Sequence, residues 1–142
     1  MKISARNVFE GTITALVDGK VNAEVEVTTA GGDRIVAIVT EGSVAALGLA
    51  VGKPALAYVK APWVMVLAGD GGVRFSARNQ LAGVVDSVQK GAVNSDVAIR
   101  LAGGTLVHAV ITNEAVLELG LKPGAPASAL IKASHVVLGV PA

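Results

Sequence analysis

The side chains best suited to chemistry in this sequence are hydrogen-bond donors that occur twice. Ser4-Ala5-Arg6 returns as Ser76-Ala77-Arg78, and a threonine and a lysine that follow the first copy return at the same displacement. Arginine carries a fork of N–H donors, lysine carries a compact charge, and a helix start offers unpaired backbone N–H groups. Such a set suits a tetrahedral dianion without a proton at neutral pH, for example molybdate, tungstate or sulfate.

Two other interpretations of these donors stay open. Phosphate is partly protonated near neutral pH and is better served by a carboxylate acceptor; Glu41 lies beside Thr40, but its counterpart in the second copy is Asn113. A repeated arginine or lysine also fits an ion pair that stabilises the fold and was inherited by duplication, and a repeated threonine fits a plain helix cap. The residues alone do not separate an anion site from repeated structural contacts.

Catalytic and metal-binding patterns are nearly absent. The chain has no cysteine and two histidines, His108 and His135, which belong to no zinc-binding, phosphate-loop or nucleophile-elbow motif. We interpret both histidines as packing or surface residues. We also interpret the acidic residues as scattered and mostly not repeated, so that no pair of carboxylates at matched positions suggests acid–base catalysis. The sequence therefore predicts a protein that is not an enzyme and holds no metal ion.

The repeat predicts two domains that share one fold. About a third of the paired positions are identical without a gap, which indicates duplication. We place the first domain at 1–68, the second at 73–142 and a glycine-rich linker at 69–72.

Within each repeat, short β-branched segments separated by glycine turns predict strands around one short helix. The helices are expected to begin at Thr40 and Thr112 and to stop at Gly48 and Gly120. Turns before Asn22 and Asn94 are expected to place these asparagines in a left-handed conformation. The predicted strands are Thr12–Val17, Val21–Thr28, Arg34–Val39, Ala55–Lys60 and Trp63–Leu67, with Ala127–Lys132 and His135–Val140 as later copies. This pattern predicts an all-β fold with one short helix per repeat, as two tandem OB-like β-barrels.

Composition narrows the function classes further. Apolar residues make up 52% of the chain and aromatics 3%, which is more apolar surface than two small barrels can bury and therefore favours an oligomer. No apolar run is long enough to span a membrane. The net charge of +1 and the few aromatics argue against a nucleic-acid surface, the main rival for an OB-like fold. Without a signal segment or cysteines, we expect a cytoplasmic protein.

One combination of motifs is specific enough to indicate a family. The chain resembles the molbindins, tandem Mop (TOBE-type) domains, at Ser4-Ala5-Arg6-Asn7, at 21–25, at Thr40, at Lys60-Ala61 and at the copies of these positions. The resemblance implies a trimer of tandem barrels that binds molybdate or tungstate between subunits and stores or buffers molybdenum in the cytoplasm. An alternative within this family is a sensor domain that acts on a protein partner.

The resemblance also implies two groups of oxyanion ligands, in which the metal is bound only as its oxyanion. The first group is Ser4, Ala5, Arg6, Lys60 and Ala61, completed by Thr40 and Ser43 from another domain. The second group is Ser76, Ala77, Arg78, Lys132 and Ala133, with Thr112 and Ala115. Because Ala115 replaces Ser43, one hydroxyl donor is missing from the second set, and we expect the two groups to bind unequally.

Overall fold

The computed structural model describes residues 2–69 and 72–142. Residues 70 and 71 of the expected linker lie outside the described residues. The first repeat forms β1 (Asn7–Asp18), β2 (Asn22–Thr29), β3 (Arg34–Thr40), α1 (Glu41–Leu47), β4 (Pro54–Val59), a 3-10 turn (Ala61–Trp63) and β5 (Met65–Leu67). The second forms β6 (Asn79–Lys90), β7 (Asn94–Leu101), β8 (Leu106–Thr112), α2 (Asn113–Leu119), β9 (Pro126–Ile131), a 3-10 turn (Ala133–His135) and β10 (Val137–Gly139).

The two short helices begin and end where their sequence predicts. The Thr40 hydroxyl accepts a hydrogen bond from the Ser43 N–H at 3.1 Å, and the Thr112 hydroxyl accepts one from the Ala115 N–H at the same distance. Each helix stops at a left-handed glycine, with φ of 63° at Gly48. Seven-residue helices with no buried residues are held in place by these caps and by their strands.

The turns before Asn22 and Asn94 are tight, but the expected left-handed asparagines are wrong. Among the described residues, positive φ angles occur at glycines alone. The turn before β7 is closed by a hydrogen bond from the Gly91 N–H to the Asn94 carbonyl at 2.8 Å. A Cβ at position 91 would lie 2.7 Å from that oxygen, so glycine is required for close approach and not for a left-handed angle.

The long first strand of each repeat bends at a β-bulge. The register between β1 and β2 shifts between Ile13 and Ala15, and the register between β6 and β7 shifts between Val85 and Ser87. An extra residue in one strand of an antiparallel pair increases its local twist and bends it. The bend lets β1 pair with β2 along one half and with β4 along the other, which curves each sheet into a half-barrel.

The two repeats exchange their last strands. One five-stranded sheet has the order β10-β4-β1-β2-β3, and the other has the order β5-β9-β6-β7-β8, with antiparallel pairing throughout. Each sheet therefore contains four strands of one repeat and one strand of the other. The fold class is confirmed as mostly β, with two half-barrel sheets and one short helix per repeat.

Strand exchange also explains why two predicted strands are too long. The expected strands Trp63–Leu67 and His135–Val140 begin later, at Met65 and Val137. The residues before them form 3-10 turns, and Pro62 within the first turn cannot donate to a sheet ladder. These turns lead the chain away from its own sheet to the edge of the other one.

Two buried asparagines join the repeats. Asn79 is 1% exposed; its amide nitrogen donates to the Val36 carbonyl at 2.8 Å, and its amide oxygen accepts from the Val36 N–H at 2.7 Å. Asn7 makes the same two bonds with the backbone of His108, at 2.8 and 2.7 Å. Because β3 and β8 are the outer strands of their sheets, each asparagine covers an open sheet edge of the other repeat.

Candidate anion-binding site

The donors of the second group come together around one cavity. It has a volume of about 280 Å³, and its polar lining comes from Ser76, Arg78, Lys132 and Ser134. Ala77 and Ala133 also line this cavity. Ile38, Met65, Phe75 and Leu130 complete the lining with apolar side chains. A cavity with two positive charges and two hydroxyls suits a small anion.

The start of helix α1 faces an adjoining cavity of about 320 Å³. Thr40 and Ser43 line it, and Ile38 and Ser134 belong to both cavities. The Thr40 and Ser43 hydroxyl oxygens are 2.9 Å apart. Within one chain, the helix start of the first repeat therefore lies beside the donors of the second repeat.

The resemblance groups donors from different domains at sites between subunits, with Thr112 and Ala115 in the second group. Within one chain, these two residues line neither of the two cavities. The 3-10 turn after Lys132 packs against β3, which ends at Thr40, and the turn after Lys60 packs against β8, which ends at Thr112. These contacts between the turn of one repeat and the third strand of the other are a consequence of strand exchange. The repeat pattern in the sequence does not reveal that exchange.

Ser134 is a candidate donor that the sequence analysis missed. It lies at the boundary of both cavities, and its counterpart in the first repeat is Pro62. Because the two copies differ at this position, a search for repeated donors passes over it. Ser134 becomes a candidate donor once the topology shows that it lines both the cavity of Lys132 and the cavity of Thr40.

The repeated arginines form ion pairs across the repeats. Arg78 donates two hydrogen bonds to Glu24, with N···O distances of 2.7 and 2.6 Å. Arg6 approaches Asp96 to 2.8 Å. Glu24 and Asp96 occupy matched positions and are an exception among acidic residues that are mostly not repeated. Both repeated arginines therefore form ion pairs.

Both arginines nevertheless keep donors available. Their side chains are 56% and 53% exposed, so the pairs contribute little to stability. Each guanidinium has five N–H donors, and one carboxylate uses at most two of them. An arginine oriented by a carboxylate can still present its remaining N–H groups to an anion.

Aromatic rings of the two repeats meet beside the lysines. The Trp63 ring lies 4.9 Å from the His135 ring at an angle of 38°, and the Lys60 ammonium lies 5.4 Å from the Trp63 ring centre. The packing role expected for His135 is therefore confirmed. His108 is more than a packing residue, because its Nδ1 lies 2.9 Å from Asp96.

Across residues 2–69 and 72–142, no group of three or more histidine or acidic side chains is arranged to hold a metal ion. None of the helices described there has the length and apolar character needed to cross a membrane.

The chain is a tandem pair of small β domains with exchanged strands and a duplicated set of hydrogen-bond donors. The TOBE domain model matches residues 3–66 and 76–138, so the chain belongs to the TOBE domain family. A solved structure described as the cytoplasmic molybdate-binding protein ModG, with molybdate bound, aligns with a TM-score of 0.94 and 57% identity. The alignment covers 99% of this chain and 100% of that one.

Curated relatives are longer. The molybdenum-pterin-binding protein MopA of Rhodobacter capsulatus is 43% identical over 141 residues, which cover 99% of this chain and 53% of MopA. The molybdenum transport protein ModE of Herbaspirillum seropedicae is 41% identical over 140 residues, which cover 99% of this chain and 52% of ModE. The chain thus spans about half the length of these relatives.

Proposed function

We propose that this protein binds molybdate, and tungstate in the same sites, and acts as a molybdenum store or buffer. The observation that carries the proposal is the cavity that joins Ser76, Arg78, Lys132 and Ser134. The full-length similarity to a molybdate-bound ModG supports the choice of anion. The relatives named above support a binding protein in the cytoplasm, with no catalytic step.

The complete site needs more than one chain. The cavity opens to solvent, and large apolar side chains are exposed nearby, with Met65 57% and Trp63 43% exposed. A dianion bound there gains from exclusion of water, because charge-assisted hydrogen bonds strengthen at low dielectric. We infer a trimer in which neighbouring subunits cover these apolar residues and close the sites.

Titration calorimetry with molybdate tests the function, with sulfate as the matched anion of equal charge and shape. Molybdate has longer bonds, so donors spaced for it lie too far from sulfate oxygens for good hydrogen bonds. We expect tungstate to displace molybdate and sulfate to displace it poorly. Equal displacement by sulfate would identify a general anion site, and no heat with molybdate would contradict the function.

The two classes of site should differ in affinity. Within one chain, Ser43 and Ser134 both lie beside the second donor group, whereas their counterparts Ala115 and Pro62 carry no hydroxyl. One neutral hydrogen bond contributes about 0.5–1.5 kcal/mol, so each serine accounts for roughly a 2- to 12-fold difference in affinity.

Single substitutions measure the contribution of each of the two serines, Ser43 and Ser134, to molybdate affinity. Ser43→Ala and Ser134→Ala should each weaken the stronger class, and Ala115→Ser should strengthen the weaker one, as followed by molybdate titration. Glu114→Ala, at an exposed position next to Ala115, is the control and should leave both classes unchanged. If Ser43→Ala and Ser134→Ala leave both affinities unmoved, these hydroxyls do not contact the anion.

A further inference from the structure

One carboxylate lies between two potential cations at the junction that holds Arg6. Asp96 Oδ1 is 2.9 Å from His108 Nδ1, and Asp96 Oδ2 is 2.8 Å from an Arg6 guanidinium nitrogen. The Asp96 side chain is 15% exposed and that of His108 is 26% exposed, so water screens this cluster only in part. A change of charge on His108 therefore changes the electrostatic potential at Arg6.

The matched junction of the other half has no such histidine. Glu24 takes the place of Asp96 and holds Arg78 by two hydrogen bonds, and Val36 stands where the second junction has His108. Arg6 has a single close contact, with Oδ2 of Asp96. The other carboxylate oxygen of Asp96, Oδ1, contacts the His108 imidazole. The two junctions share the same backbone contacts. They differ in that His108 replaces Val36, and in that Ala98 lies across from His108 where Glu26 lies across from Val36.

Other charged groups also lie near His108. Lys60 immediately precedes the 3-10 turn at Ala61–Trp63, which packs against β8. On the same face of β7, Arg100 forms an ion pair with Asp86 of β6. Directly across from His108 on β7 lies Ala98, which is uncharged. Arg6 is the group that reaches this face from the segment before β1. Asp96 is thus the group through which His108 couples to the arginine.

We propose that His108 is a positioning residue that makes the anion site at Arg6 sensitive to pH, while the site at Arg78 lacks this sensitivity. Histidine is the side chain whose charge changes between about pH 5 and 8. With neutral imidazole, the cluster of Arg6 and Asp96 has no net charge. With imidazolium, Asp96 is shared by two cations, the cluster is positive, and Arg6 is released toward the anion.

The direction of the pH dependence follows from the positive charge of protonated His108. An anion at Arg6 stabilises the protonated imidazole, so molybdate binding takes up protons and becomes tighter as the pH falls. Between about pH 8 and pH 6 we expect roughly a 3- to 10-fold gain in affinity, the order of magnitude for one added charge that acts on a dianion in a partly solvated site. This inference rests on the proposed molybdate function and assigns a regulation to it.

The test is molybdate titration of the full chain at several pH values, in buffers of different ionisation enthalpy, which reports protons taken up per bound anion. His108→Val is the matched variant, because Val36 makes with Asn79 the same backbone hydrogen bonds that His108 makes with Asn7. Wild type should show proton uptake and a pH-dependent affinity in one class of site. His108→Val should lose both while keeping the number of sites.

A reciprocal variant checks the assignment. Val36→His adds an imidazole beside Glu24, with Glu26 across the strand, and should give the other class of site a pH dependence. His135 is present in every variant, so differences between them report position 108 or position 36 alone. An unchanged pH profile and proton uptake in His108→Val would overturn the inference, as would an unchanged profile in Val36→His. Absence of molybdate binding at every pH would instead contradict the proposed function.

Discussion

Asn79→Ala should lower the free energy of unfolding by about 1–3 kcal/mol, because it leaves two partly buried backbone groups of Val36 without their partners. The asparagine is 1% exposed and bonds both the N–H and the carbonyl of Val36, on the outer strand of the opposite sheet. A third bond reaches the Ile131 carbonyl at 3.2 Å. Alanine restores none of these bonds.

Chemical denaturation of Asn79→Ala and of a neighbouring control measures this effect. Gln80 is also an amide and donates to the Phe75 and Ala77 carbonyls at 3.1 and 2.9 Å, but at an exposed position. Gln80→Ala should therefore cost about 1 kcal/mol or less. Equal losses in the two variants would show that the asparagine does not hold the repeats together.

Lys132→Ala should weaken molybdate binding at its site by about 10- to 150-fold, the equivalent of one charge-assisted hydrogen bond of roughly 1.5–3 kcal/mol. The lysine lines the cavity. Within the described residues, its ammonium group forms no ion pair with a carboxylate. The substitution therefore removes a hydrogen-bond donor to the anion without breaking an ion pair. Lys60→Ala should affect the other class of site in the same way.

Titration of these variants needs a control for overall charge. Lys122→Ala removes a lysine from an exposed position of the second repeat and should leave the affinity unchanged. Arg78→Ala is a less direct probe, because it also leaves Glu24 without its cation. If Lys132→Ala and Lys122→Ala bind molybdate equally well, Lys132 is not a ligand.

The repeated donors and the strand–helix order could be predicted because local chemistry determines them. Thr40 caps its helix and Gly48 ends it through contacts within a few residues, and the apolar alternation of β2 and β3 needs no tertiary information. The second donor group was implied by the family resemblance. In the structure, Ser76 and Arg78 lead into β6, which pairs with the strand before Lys132.

The remaining features depend on contacts between the repeats. The exchange of β5 and β10 cannot be read from apolar alternation, since either sheet offers these strands an apolar edge. Because of that exchange, Ser134 and Thr40 line the same cavity. The exchange also brings Arg78 into its ion pair with Glu24. The role of Asn79 was also missed, although its repetition within Ser-Ala-Arg-Asn was visible, because a buried amide is interpreted only once its partner strand is known.

Native mass spectrometry of the full chain after incubation with molybdate tests the central claim most directly, since it reports the number of subunits and the number of bound anions together. We expect a trimer of the 14.2 kDa chain that gains mass in whole molybdate units, and we expect fewer units to be retained in Lys132→Ala. A monomer that gains no molybdate, or a trimer whose anion count is the same in the wild type and in a chain lacking both Lys60 and Lys132, would contradict it.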